Sequence, residues 1–255
     1  MGYTLPMKAL VVGNWKMNPA TFREAKLLFE ATKKAADTAK GVSIVVAPPS
    51  IYMRELSKGY RGRIAFAVQN ANAETTGAHT GEVSFAMAKD AHATYGIIGH
   101  AERRSAGETN EDTKLKVKTA LAEGLTPILC VGETARGTSG THFAFVRDQL
   151  RIGLSDVSTP SLKKVIIAYE PVWAIGAASA MSPRDMHEMS IFIRKCIFEV
   201  HGESAHSVRV LYGGSIDATN APAMLAEGDV HGLLVGRASA DASHVRDLLQ
   251  AIGDA

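Results

Sequence analysis

Short apolar runs recur eight times along the 255-residue chain, and most end in a polar or glycine-rich turn. They fall at residues 9–12, 43–47, 64–68, 95–98, 127–131, 165–169, 208–212 and 232–235. Their hydrophobicity is continuous rather than alternating and rich in Val and Ile, the pattern of strands covered on both faces. Helical patterns lie between them. Residues 21–40 set Phe22, Ala25, Leu28 and Phe29 on one stripe, and residues 110–123 and 183–201 read the same way. The last of these is entered through Ser182-Pro183, a cap followed by a first-turn proline. Strand and helix therefore alternate about every 32 residues, long enough for a βαβ step. Eight parallel strands inside a ring of helices make a closed α/β barrel of the (β/α)8 type, for which ~250 residues is the usual length. The alternative, an open doubly wound sheet, wants a Gly-x-Gly-x-x-Gly turn after its first strand, and Gly13-Asn14-Trp15-Lys16 is not one. No linker or composition break divides the chain, so residues 1–255 are expected to form a single domain, with 135–141 a flexible loop.

Composition narrows the class of partner. With 28 Lys and Arg against 26 Asp and Glu, the formal charge is +2, too thin for a dedicated nucleic-acid binder yet compatible with a small anionic ligand. Aromatic residues at 6% are too few for base-stacking platforms. Cys130 and Cys196 cannot build a disulfide framework, and no His, Cys or Asp cluster has metal-ligand spacing. No run reaches the ~20 apolar residues that span a bilayer. The opening Met1-Gly2-Tyr3-Thr4-Leu5-Pro6 reads as too short and too mixed for a signal peptide, and low cysteine use suits a reducing cytoplasm.

In a parallel barrel, chemistry gathers where the C-terminal strand ends meet. The first run leads into Asn14-Trp15-Lys16-Met17-Asn18, the fourth into Gly99-His100-Ala101-Glu102, and the fifth into Gly132-Glu133. The sixth leads into Glu170-Pro171-Val172-Trp173, the seventh into Gly213-Gly214-Ser215, and the eighth into Gly236-Arg237. A lysine, a histidine, a carboxylate and two glycine turns thus aim at one mouth. Such a set can hold a phosphate, polarise a carbonyl and remove a proton beside it. Taken singly, each has a plainer reading. Lys16 could be a solvated charge, His100 a core histidine, and the glycines ordinary turns. Cys130 reads as a small buried hydrophobe, and Trp15 and Trp173 as packing. Glu170 resists this treatment, because a glutamate after five apolar residues is rarely buried without a partner or a task. Their joint occurrence in this order carries the reading.

Asn14-Trp15-Lys16-Met17-Asn18, Ala168-Tyr169-Glu170-Pro171-Val172-Trp173-Ala174-Ile175-Gly176 and Leu211-Tyr212-Gly213-Gly214-Ser215-Ile216 resemble the signatures of the triosephosphate isomerase family, and in its order. The likeness runs from Val11 to about Ser239. It implies a TIM barrel and interconversion of dihydroxyacetone phosphate and glyceraldehyde 3-phosphate, a step of glycolysis and gluconeogenesis, without a cofactor. By resemblance, Glu170 is the base that moves a proton between adjacent carbons, and neutral His100 shuttles protons between the enediolate oxygens. Lys16 supplies positive charge, held by Glu102, and Asn14 hydrogen-bonds the substrate. Backbone N–H groups around Gly176, Ser215 and Gly236 take the phosphate. Residues 171–183 match the family's lid. Gly77-Ala78-His79-Thr80-Gly81-Glu82 resembles its protruding third loop, which implies a homodimer with Thr80 near the partner's Asn14 and Lys16.

Four departures from the family pattern stand out. The lid's usual Gly-Thr-Gly-Lys-Thr is replaced by Gly176-Ala177-Ala178-Ser179-Ala180, removing a flexible glycine and a hinge hydroxyl. The serine after the catalytic histidine is Ala101, the second glycine after the eighth strand is Arg237, and His79 replaces a loop aromatic. None touches Asn14, Lys16, His100 or Glu170. They leave two alternatives in view, an isomerase of a four-carbon ketose phosphate and a non-catalytic sugar-phosphate binder on the same scaffold.

Overall fold

The computed structural model describes residues 8–137, 140–176 and 180–254. Its eight strands are β1 Ala9–Asn14, β2 Val42–Ala47, β3 Ile64–Val68, β4 Tyr95–Ile98, β5 Thr126–Val131, β6 Ile166–Tyr169, β7 Arg209–Tyr212 and β8 Gly232–Val235. They pair in parallel and in chain order, and β8 returns to β1 through Leu10↔Gly232 to Gly13↔Val235, closing the barrel. No open sheet edge is left, which removes the doubly wound alternative. The helices are α1 Phe22–Thr38, α2 Ser50–Ser57, α3 Phe85–Asp90, α4 Ala101–Ser105, α5 Asn110–Ala122, α6 Thr141–Gly153, α7 Thr159–Leu162, α8 Pro183–His201, α9 Ala221–Glu227 and α10 Ala242–Gly253. Among the described residues, no helix is long and apolar enough to cross a membrane.

Local chemistry sets the helix starts. Thr21 caps α1 in a capping box with Glu24, Thr109 and Asp112 do the same for α5, and Ser182 caps α8 ahead of Pro183. Along α1 the buried positions are Ala25, Leu28, Phe29, Thr32, Ala35 and Ala36, the period of one helix face. Phe22, read as part of that stripe, is instead exposed, and its ring tilts against Tyr52. The expected loop at 135–141 is shorter than read, since α6 already begins at Thr141.

Two apolar layers follow from the two-residue period of a strand. Leu10, Val12, Val45, Ala67, Ile97, Ile128, Cys130, Ile166, Ala168, Leu211 and Leu234 fill the barrel interior. Their neighbours, among them Val11, Ile44, Phe66, Leu129, Ile167, Val210 and Leu233, face the helices. Both faces of each strand are therefore covered, which is why the strands read as unbroken apolar runs. The same parity, continued past the strand ends, selects what enters the mouth. Asn14 follows Leu10 and Val12, Glu170 follows Ile166 and Ala168, Gly213 follows Leu211, and Gly236 follows Leu234.

Candidate active site

Glu170 is buried directly after β6, and two glycines make room for it. A Cβ on Gly132 would stand 1.9 Å from the Glu170 carbonyl oxygen, and one on Gly213 would stand 2.8 Å from Glu170 Cγ. Two backbone bonds fix the residue from either side. The Glu170 N–H donates to Val131 O (2.7 Å), and the next strand's Gly213 N–H donates to Tyr169 O (2.8 Å). Its carboxylate accepts from the Ala101 N–H through Oε2 at 3.1 Å. Ala101 thus serves the carboxylate through its backbone, which needs no hydroxyl. Cys130, read as a small buried hydrophobe, is fully buried in the inner core, beside the Glu170 carboxylate. Burial and the neighbouring carboxylate push its thiol well above the usual range.

His100 enters the mouth by a change of parity. Gly99 sits at φ +71, a left-handed conformation, and turns the chain so that the following residue points inward. His100 Nδ1 accepts the Glu102 N–H at 3.2 Å, which capping geometry places at the start of α4. An accepting Nδ1 carries no proton, so the neutral ring holds its proton on Nε2. That nitrogen lies 3.3 Å from Glu170 Oε1.

Lys16 follows Asn14 and Trp15 in a backbone turn of its own. Its φ is +54, and its N–H donates to Asn14 Oδ1 at 3.0 Å. The carbonyl of Lys16 accepts from Gln69 Nε2 at 2.8 Å, and the same nitrogen donates to Ala47 O at 2.8 Å. Its ammonium donates to Glu102 Oε1 at 2.6 Å. Burial pushes the Glu102 carboxyl up, but the bond and charge of Lys16 outweigh it and hold the group below its ordinary value.

A cavity of about 850 Å³ gathers Asn14, Lys16, His100, Glu170, Gly176, Ser215, Gly236 and Arg237 in its wall. The site residues read from the sequence are thereby brought to one place, with Glu102 joined through Lys16. A smaller pocket on the other flank of Lys16 is lined by Gln69, Gly81, Glu82 and Glu102. Thr80 is not part of either wall; it lies exposed on the outer loop. Of the altered lid positions, Gly176 and Ala180 are described, whereas Ala177, Ala178 and Ser179 lie outside the described residues. No group of three or more His, Cys, Asp or Glu among the described residues could hold a metal ion.

Several positioning groups escaped the sequence reading. Glu133 is buried and accepts the Tyr169 hydroxyl at 2.8 Å and the Trp173 indole N–H at 2.8 Å. Trp173 is therefore a hydrogen-bonding residue, 39% exposed, and the packing role read for it is wrong. Arg104 donates to Gly99 O at 2.8 Å and to Cys130 O at 3.1 Å, tying the ends of β4 and β5 together. Glu133 carried a usable signal, a carboxylate straight after an apolar strand. Gln69 and the Arg104 bond to Cys130 carried none, since they join residues far apart in the chain.

A sequence model of the triosephosphate isomerase family matches residues 9–252. Curated relatives agree along nearly the whole length. The chain is 40% identical over 246 residues to the triosephosphate isomerase of Endomicrobium trichonymphae, covering 95% of this chain and 98% of that protein. It is 41% identical over 248 residues to that of Chlorobium chlorochromatii, with 96% and 98% covered. For Hydrogenovibrio crunogenus the figures are 40% over 249 residues, with 96% and 98% covered. On a closed eight-stranded barrel with this cavity at its mouth, a likeness of that extent leaves one assignment, and the chain belongs to the triosephosphate isomerase family.

Proposed function

We propose that the protein interconverts dihydroxyacetone phosphate and D-glyceraldehyde 3-phosphate through an enediolate. The observation that carries this reading is the pairing of a buried carboxylate, Glu170, with an imidazole whose Nε2 lies 3.3 Å away, in a cavity that also presents Lys16. Glu170 takes a proton from the carbon next to the carbonyl, and the electron pair moves onto the carbonyl oxygen. His100 Nε2–H gives its proton to that oxygen and recovers one from the neighbouring hydroxyl. Glu170 then returns its proton to the adjacent carbon, and no net proton is gained or lost. Lys16 offsets the negative charge that develops on the oxygens, and Asn14 orients the substrate. The phosphate sits against the backbone N–H groups of Gly176, Ser215 and Gly236, which have no protein acceptor among the described residues.

A coupled assay with glyceraldehyde 3-phosphate tests the reading. Glu170→Gln should cut turnover by about three orders of magnitude or more while binding of a phosphate analogue persists. Unchanged turnover removes Glu170 from the base role. Parallel kinetics with a tetrulose phosphate decide between three- and four-carbon substrates, and an inactive wild type that still binds the analogue would leave only a binder.

The assembly is read as a homodimer. Met17, beside Lys16, is 93% exposed, and the loop carrying His79 and Thr80 stands out from the barrel. A second copy would cover both, bringing Thr80 toward the partner's Asn14 and Lys16. Sedimentation showing a stable, fully active monomer refutes it. Two free, buried cysteines suit a reducing cytoplasm as the place of work.

A further inference from the structure

We infer that Arg237 is a direct ligand of the substrate's phosphate and a determinant of specificity for phosphorylated substrates. This rests on the isomerase reading for the identity of the substrate and for the place of its phosphate.

The seat is flanked by two cations. A Cβ on Gly236 would stand 3.3 Å from Lys16 Cε, and one on Gly176 would stand 3.7 Å from Arg237 Nη2. Lys16 therefore lies beside Gly236 and Arg237 beside Gly176, and all four line the same cavity. The two differ in how their charge is committed. Lys16 is already bonded to Glu102 at 2.6 Å. Arg237 has no carboxylate within ion-pair distance among the described residues, although three exposed or half-buried carboxylates share the cavity wall. Each of those is engaged elsewhere. Asp217 accepts from the Thr219 and Asn220 N–H groups, Asp241 caps α10 through the Ser243 and His244 N–H groups, and Asp247 pairs with Arg246 at 3.0 Å.

The backbone beneath Arg237 is fixed, and its side chain is exposed. Ser239 is buried and its hydroxyl donates to Val235 O at 2.8 Å and Gly236 O at 2.7 Å, clamping the short turn Arg237–Ala240 onto the end of β8. The turn packs on β1, where a Cβ on Gly13 would stand 3.0 Å from Ser239 Cβ. An exposed guanidinium on a rigid base, beside Gly176 in the cavity wall, can present a planar fork to a tetrahedral dianion. That geometry favours two parallel charge-assisted bonds, which a lysine cannot supply.

The test uses the full chain and two independent readouts. Inorganic phosphate titrated calorimetrically reports the seat without turnover. Arg237→Gln should weaken phosphate binding about 10- to 100-fold, and Arg237→Lys should fall between. In the isomerase assay, KM for glyceraldehyde 3-phosphate should rise by a similar factor with kcat within about threefold, while kcat/KM for unphosphorylated glyceraldehyde stays unchanged. Phosphate binding unchanged or tightened in Arg237→Gln overturns the inference, the second outcome meaning that the side chain obstructs the seat. A wild type without isomerase activity would sink the functional reading alone, since the calorimetric arm stands apart from it.

Discussion

His100 Nε2 lies 3.3 Å from Glu170 Oε1, with both side chains buried and supplied by strands that are not neighbours in the barrel. The Glu102 N–H on Nδ1 sets the tautomer and so directs the remaining ring proton toward the carboxylate and the cavity. Replacement by glutamine offers an N–H in the same region but cannot give up and regain a proton. His100→Gln is therefore expected to lower kcat by about 10²- to 10⁴-fold, with a much smaller change in KM. A kcat within tenfold of wild type, with an unchanged circular dichroism spectrum, would remove the imidazole from the proton relay.

The left-handed backbone of Lys16 is held through its carbonyl. Gln69 Nε2 bridges that oxygen and Ala47 O, joining the turn after β1 to the end of β2. Gln69→Leu deletes both bonds and sets an apolar side chain against two carbonyls. Stability should drop by about 1–3 kcal/mol in urea unfolding, and kcat/KM should fall because the ammonium loses its fixed origin. Gln69→Glu, which has no donor when ionised, should behave no better. A leucine variant with wild-type kcat/KM would show that Lys16 is positioned without this bridge.

The Lys16–Glu102 pair gives a pH dependence of definite sign. Burial pushes the Glu102 carboxyl up, yet its bond to the Lys16 ammonium holds it below the ordinary value in the folded protein. A lowered folded value means that the pair's stabilisation is complete above the unfolded carboxylate value, about 4.3, and is lost as pH falls through the folded one. The Glu102 side chain is 59% exposed, so screening keeps the effect within about 1 kcal/mol. Urea unfolding should find Glu102→Gln slightly less stable than wild type at pH 7 and indistinguishable from it below about pH 3. A difference that grows on acidification contradicts the pairing.

The fold was legible because the barrel covers both faces of every strand. The runs at 64–68, 95–98 and 232–235 coincide with β3, β4 and β8, since unbroken hydrophobicity has sharp ends where the chain meets water. Ser182-Pro183 likewise marks the start of α8, a purely local event. What escaped is what depends on register. Glu133 meets Tyr169 because Val131 pairs with Tyr169 across β5 and β6, and nothing within either segment encodes that alignment. Gln69 reaches Lys16 across 53 positions, and Phe22 leaves the core although its spacing is right. Periodicity says which face a residue takes, while the partners on that face come from the closed sheet.

Glu133 holds the first turn of the segment after Glu170 by two separate grips. Its carbonyl accepts the Val172 N–H at 2.9 Å, and its carboxylate accepts the Trp173 indole at 2.8 Å while also receiving the Tyr169 hydroxyl. Burial and the Glu133 charge both push the Tyr169 phenol up, so it remains a donor throughout the working range. Glu133→Gln keeps the backbone grip and the shape but removes the charge from both side-chain bonds. The expected cost is about 1–3 kcal/mol in unfolding, together with roughly a tenfold fall in kcat/KM as the residues after Glu170 lose their fixed start. Trp173→Phe removes one donor only and should lose less. Because the two changes act on one bond, the double variant should fall short of the sum of the singles. Strict additivity would separate Glu133 from Trp173 and leave the carboxylate with Tyr169 as its sole functional partner.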